Sequence, residues 1–251
     1  YVQDYFRLES LGRIEESNCA RDICMELKKL LDANVADETY VQTVLVKLEK
    51  LLGVLGETGV RKLVQNDGLE LIVQCMIMHP DSKLVIPRAV TILAGLTSGV
   101  EQLYPHLERD EIDEIYSFLM SDSCMEAVIQ MMRNHDGDLS LVTMGTQFFE
   151  LLAINLHIYE RNTTPVLQAK YLQQLEQKDV LRLCWELLEM HITDDTDDRD
   201  HAFFLDKACG VLTLDVGGAG CPVLKKLIAE TDQEEVHKIV SRFNDIDDRR
   251  E

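Results

Sequence analysis

The chain has 251 residues, with 25 Lys plus Arg against 45 Asp plus Glu and a formal charge of −20 at pH 7. Nucleic-acid binding is driven by clustered cations that release counterions from phosphate, so this balance excludes a nucleic-acid wrapper as the starting expectation. Hydrophobic residues make up 46%, enough for a sizeable core, while 13 Gly and 5 Pro leave too few turn residues for an all-β chain of this length. An all-α chain is expected.

The sequence begins Tyr1-Val2-Gln3-Asp4, with neither an initiator Met nor a charged segment followed by an apolar signal core, which points to residues upstream. The densest apolar run, Leu69 to Met78, contains Glu70 and Gln74 and is too short to span a bilayer. A soluble, cytoplasmic chain with no membrane insertion of its own is therefore expected. Cys19, Cys24, Cys75, Cys124, Cys184, Cys209 and Cys221 are odd in number and show no C-x-x-C spacing, which fits reduced, buried thiols. The sequon Asn162-Thr163-Thr164 is too short a pattern to weigh against that.

In chain order, Cys19 to Leu31 and Thr39 to Leu52 read as a first pair of helices. Gly59 to Gln65 reads as a short helix, Asn66-Asp67-Gly68 as a break, Leu69 to Met78 as a second helix, and Leu84 or later to Thr97 as a third. Gly68 is expected to take the positive φ at the break, Pro80 to push His79 out of the α region, and Asp81 or Ser82 to cap the third helix. Pro87 implies a helix starting near Ile86 or a kink. Val85, Ala89, Ile92, Leu93 and Leu96 share one face, whereas the second helix is apolar nearly all round and has to be covered on more than one side. A stack of similar units would cover it.

The same plan recurs at Met125 to Met132 followed by Leu139 to Asn155, and at Val180 to Met190 followed by Ala202 to Leu214. The second helices begin at Leu69, Met125 and Val180, offsets of 56 and 55 residues. Pro222 to Phe243 reads as a terminal cap of two short helices. On this plan Leu71, Ile72, Leu93, Leu96, Val128, Phe149, Leu152, Leu183 and Leu212 are expected to be buried.

The segment G-V-R-K-L-V-Q-N-D-G-L-E-L-I-V-Q-C-M, a polar break and then A-V-T-I-L-A-G-L resembles an armadillo repeat, in which a short helix, a glycine break and an apolar helix precede a longer helix with an A-x-x-x-L-x-x-L core. The resemblance covers Gly59 to Gly99 best, extends over Asp110 to Asn155 and Thr164 to Gly217, and thins before Thr39. It implies a single right-handed superhelical armadillo-like solenoid over 1–251, with about four to five repeats at 12–55, 58–99, 110–155 and 164–217 and a cap at 220–243. HEAT-type pairing of two helices per repeat is the nearby alternative.

The family implies a non-catalytic scaffold or adaptor that binds proteins along its third helices. Import receptors of the family carry a Trp and Asn ladder there, but the matching positions are Val46, Thr91 and Gln147, and Lys50, Gly95 and Leu151. The ladder is absent, which disfavours an import receptor. The candidate partner contacts are Lys50, Thr91, Gly95, Gln147, Glu150 and Lys207, together with the acidic loop Asp194, Asp195, Asp197 and Asp198. Basic or extended protein segments are the expected partners of so acidic a surface.

By architecture and size the chain is also similar to the armadillo-repeats-only family of apicomplexan parasites. That implies an acylated segment upstream of Tyr1, attachment to the cytosolic face of the rhoptry, and recruitment of a myosin motor and a cyclase. A regulatory subunit, an exchange factor, or a fragment of a formin or a myosin-directed chaperone are the alternatives.

Chemical motifs are not found. The run Asp194-Asp195-Thr196-Asp197-Asp198-Arg199-Asp200 places Arg199 where a Ca²⁺ loop needs Gly and Leu205 where it needs the closing Glu, so it reads as a solvated or docking loop. The seven histidines lack ligand spacing, and no G-x-S-x-G, phosphate loop or H-E-x-x-H occurs. No catalytic residue, metal or cofactor is expected. The methionines of the middle repeats and Trp185 are expected in the core.

Overall fold

A computed structural model of the chain describes residues 20–32, 37–97, 107–159, 166–191 and 199–212, with scattered positions between 225 and 241. Among these, 87% are helical and there is no strand. The expected terminal cap at 220–243 lies mostly outside the described residues, and the acidic loop wholly so. Eleven helices are described: α1 (Ala20–Asp32), α2 (Glu38–Leu55), α3 (Glu57–Val64), α4 (Gly68–Met78), α5 (Val85–Thr97), α6 (Arg109–Leu119), α7 (Asp122–Asn134), α8 (Leu139–Tyr159), α9 (Val166–Gln177), α10 (Val180–His191) and α11 (Arg199–Leu212). The chain divides between Asn134 and His135 into two compact units. That boundary falls inside the repeat expected at 110–155.

Local chemistry sets the helix ends. Asp37 accepts from the Tyr40 backbone N–H at 3.2 Å and starts α2, and Gly56 at φ 52 turns the chain sharply into α3. Before Pro80, His79 has left the α region, at φ −129 and ψ 56, and Ser82 Oγ then accepts from Val85 N at 3.1 Å to open α5. Because α5 begins at Val85, Pro87 falls in its first turn, close to the start near Ile86 that the sequence allowed. Glu111 reaches back to the Glu108 N–H at 2.9 Å at the start of α6. Ser121 Oγ and Asp138 Oδ1 each accept from the third backbone N–H of the helix they precede, α7 and α8.

The break before α4 differs from expectation. Asp67, not Gly68, carries the left-handed backbone, at φ 56. Gly68 is helical, and a Cβ there would overlap Leu63 Cδ1 and come 2.8 Å from the Leu63 carbonyl oxygen. The glycine is required by the close approach of α3 to α4, not by its φ. Asp179 repeats the left-handed turn at φ 55 before α10, and 179 − 67 = 112 residues, twice the 56-residue offset. The flanking backbone bonds recur in the same register: Asp67 N to Val64 O and Leu71 N to Asp67 O, then Asp179 N to Glu176 O and Leu183 N to Asp179 O.

In the first unit α4 packs against both α1 and α7, α2 against α5, and α3 against α6, with α4 also against α5. This double coverage accounts for the burial of Leu69, Leu71, Ile72, Val73, Cys75 and Met76 on α4. In the second unit α8 and α11 pack along their lengths, with α9 and α10 against them. Phe148, Phe149, Leu152, Tyr171 and Phe204 fill that core, and the Tyr171 hydroxyl donates to the Phe149 carbonyl at 2.9 Å. All nine residues expected in the core are buried. Trp185 is also buried, its indole N–H shared between Glu189 Oε1 at 2.6 Å and Thr231 Oγ1 at 2.9 Å.

By length and composition α8 is apolar enough to cross a membrane over Leu139–Leu156, a window broader than the apolar run Leu69 to Met78. Within the protein 67% of that window is buried. With two thirds of the window covered, the helix needs little polar face, so tertiary packing accounts for much of its composition.

Candidate partner-binding surfaces

Three of the expected contact residues lie on the outward sides of α2 and α5 in the first unit. Lys50 and Gly95 are exposed and Thr91 is half-buried, its hydroxyl donating to the Pro87 carbonyl at 2.7 Å. Arg88 bridges the two helices to Glu49 at 3.3 Å, beside Lys50 and one turn before Thr91. A Cβ at Gly95 or at Gly53 would meet nothing within 4 Å, so this face is low and uncovered. Small residues there permit close approach of another backbone.

The remaining described candidates are in the second unit. Gln147 is half-buried on α8. Glu150 is not an exposed contact: it is 8% exposed, and its Oε2 lies 3.0 Å from Lys207 Nζ where α8 packs on α11. Lys207 also lies 3.3 Å from Asp206 Oδ2 and 5.4 Å from the centre of the Phe203 ring. Burial works to lower the Lys207 ammonium pKa, but Glu150 and Asp206 beside it together hold it above the ordinary lysine value. Glu150 and Lys207 therefore hold α8 to α11. Asp194, Asp195, Asp197 and Asp198 lie outside the described residues.

A groove of the first unit lies elsewhere. An open groove of about 470 Å³ runs between α4 and α7. Its floor is apolar, formed by Met76, Ala127 and Met131, and Ile77 and Pro80 form one wall. Ile77 is 60% exposed, second only to Val54 among the described large apolar side chains. Along the α7 side the lip is polar, with Ser123, Glu126, Gln130 and Asn134 at helical spacing. Gln130 Nε2 donates to Asn134 Oδ1 at 2.6 Å, and Asn134 Nδ2 donates to Asp81 Oδ1 at 3.1 Å. That chain ties α7 to the corner between α4 and α5 and closes one end of the groove.

Met76 and Met131, expected in the core from the sequence, are both buried at 2%. The groove above them is not among the sequence expectations. Its one sequence signal is the outward row Glu70, Gln74, Ile77 and Asp81, in which Ile77 breaks an otherwise polar face.

Chemically, no group of three or more His, Cys, Asp or Glu that could hold a metal ion occurs among the described residues. Burial pushes the Cys75, Cys124, Cys184 and Cys209 thiols up to about 12, so at neutral pH they are protonated and poor nucleophiles. The described surfaces offer shape, apolar area and a few charges. Compared with protein-family models, with curated proteins and with solved structures, the chain finds no match.

Proposed function

We propose that the chain is a non-catalytic armadillo-like scaffold that binds other proteins through uncovered helix faces. The observation supporting this reading is the packing in the first unit of α1 on α4, α4 on α7, α2 on α5 and α3 on α6; on this reading these are the second, third and first helices of successive copies. Stacked copies of one supersecondary unit produce an extended surface without a deep cavity, suited to holding partners and not to enclosing a reaction. The left-handed aspartates Asp67 and Asp179, set two repeat lengths apart, support the same plan. On this reading membrane attachment comes through a lipid upstream of Tyr1 or through a partner, since α8 is occupied in the core.

A photo-cross-linking amino acid placed in turn at Lys50, Thr91 and Gly95 tests the proposal, with exposed Glu176 as the control site. Defined partners are expected to cross-link from the α2 and α5 positions in cell extract and not from Glu176. Identical products from all four sites would end the reading of this face as a binding surface.

A further inference from the structure

The groove between α4 and α7 narrows the chemistry of one such partner, and the inference rests on the scaffold reading. Both walls are α-helices, so their backbone N–H and C=O groups are bonded within the helices. An extended segment laid over Met76, Ile77 and Met131 would bring its own backbone groups against apolar surface with no strand edge to pair with. A helix satisfies its backbone internally and presents a ridge of side chains, the shape that fits between two neighbouring helices.

Charge selects among helices. The lining carries no cation, and its one charged side chain, Glu126, is exposed on the lip. A second carboxylate, Asp81, stands at the end that Asn134 closes. The chain as a whole bears a formal charge of −20, so approach of a basic segment is favoured at long range as well. The amide chain from Gln130 through Asn134 to Asp81 keeps the groove formed, which lowers the ordering cost of binding.

We infer that this groove seats one amphipathic α-helix of a partner protein, its apolar ridge on Met76, Ile77 and Met131 and a flanking Lys or Arg against Glu126. The ridge has the i, i+3 or i+4, i+7 spacing of a helix laid in a groove. The Ser123 hydroxyl and the Gln130 and Asn134 amides remain at the rim, where they meet the polar shoulder of the incoming helix.

The test is a selection of displayed random 18-residue peptides on the full chain, followed by binding of the selected peptides to Ile77→Lys, Glu126→Lys and Lys50→Glu variants by fluorescence anisotropy. All three replaced side chains are exposed, and dichroism spectra and melting curves confirm that the variants fold. Expected are peptides with the helical apolar spacing and flanking Lys or Arg. Ile77→Lys and Glu126→Lys should each weaken them at least about tenfold, Lys50→Glu should not, and a proline in mid-ridge should abolish binding. Binders that ignore Ile77→Lys, that keep full affinity with the proline, or that carry acidic flanks overturn the inference. If the binders respond to Lys50→Glu alone, the scaffold reading survives while the groove assignment falls. If no selected peptide responds to any of the three, both fall.

Discussion

Gly210 provides the space in which the Glu150 carboxylate lies. A Cβ at that position would overlap Glu150 Oε1 and come 2.9 Å from its Cδ, so α8 and α11 approach closely only because α11 has a glycine there. On its other side the same carboxylate meets Lys207 at 3.0 Å. An acidic residue inside an otherwise apolar helix is thus fixed by a cation and by a missing side chain.

Gly210→Ala should therefore destabilise the second unit by about 1–3 kcal/mol, since Glu150 is pinned and cannot simply swing away. Lys207→Met should cost about 3 kcal/mol by leaving a largely buried carboxylate without its counterion. Trp185, the single tryptophan, lies in this unit and reports its unfolding in denaturant. The Lys207 pKa is raised above 10.5, so the ion pair contributes fully below that pH and is lost only as the pH climbs through the raised value. The gap between wild type and Lys207→Met should therefore persist as the pH rises to about 9. A gap that closes as the pH is raised toward about 9 would contradict the pairing.

Glycines should respond to alanine with opposite signs. Gly68→Ala forces a Cβ against the Leu63 backbone, which cannot rotate aside, and should cost about 1–3 kcal/mol. Gly53→Ala and Gly95→Ala place a methyl in open space on helices and should each stabilise by about 0.5–1 kcal/mol. Thermal melts of the three variants decide this, and a stabilised Gly68→Ala would mean that α3 and α4 do not meet as described.

Thiol reactivity should track burial. With N-ethylmaleimide at about pH 8, Cys75, Cys124 and Cys184 should stay unlabelled in the native protein and react once it is unfolded, because their pKa values near 12 and their enclosure both withhold the thiolate. Peptide mapping by mass spectrometry identifies the modified sites. Rapid native labelling of any of the three would overturn the packing of its helix.

The first unit should show a specific acid sensitivity. Arg61 forms a two-pronged ion pair with Glu111 between α3 and α6, Nε to Oε1 at 2.5 Å and Nη2 to Oε2 at 3.0 Å. The Arg61 hydrogen bond holds the Glu111 carboxyl below its ordinary 4.5, so the stabilisation is complete above 4.5 and is lost as the pH falls through the lowered value. Arg61→Met should melt lower than wild type at about pH 6, and the difference should shrink below pH 4.5 and also in high salt, since the pair is partly exposed. A difference that persists unchanged at about pH 3 would assign the effect to lost packing of the arginine stem.

Periodicity together with proline, glycine and capping signals located nine of the eleven described helices, but not α6 or α9. The spacing of Val85, Ala89, Ile92, Leu93 and Leu96 marks one covered face, and Pro80 with Ser82 sets where that helix begins. These are local rules, determined by the sterics of proline, the reach of a serine hydroxyl and the repeat of 3.6 residues per turn. Tertiary structure decided the matters that local rules leave open. Helix α4 is apolar nearly all round; Glu70 and Gln74 mark the row on which Ile77 falls, but only the positions of α1, α5 and α7 decide that Ile77 is left uncovered while Met76 and Cys75 are enclosed. Glu150 has the composition of a surface contact, and only the approach of α11 turns it inward onto Lys207. Gly68 suits a left-handed turn by sequence, yet Asp67 takes the turn because the approach of Leu63 leaves no room for a side chain at the next position. In each case the deciding neighbour lies on another helix, and its distance is a property of the packed unit, which no local pattern of residues contains.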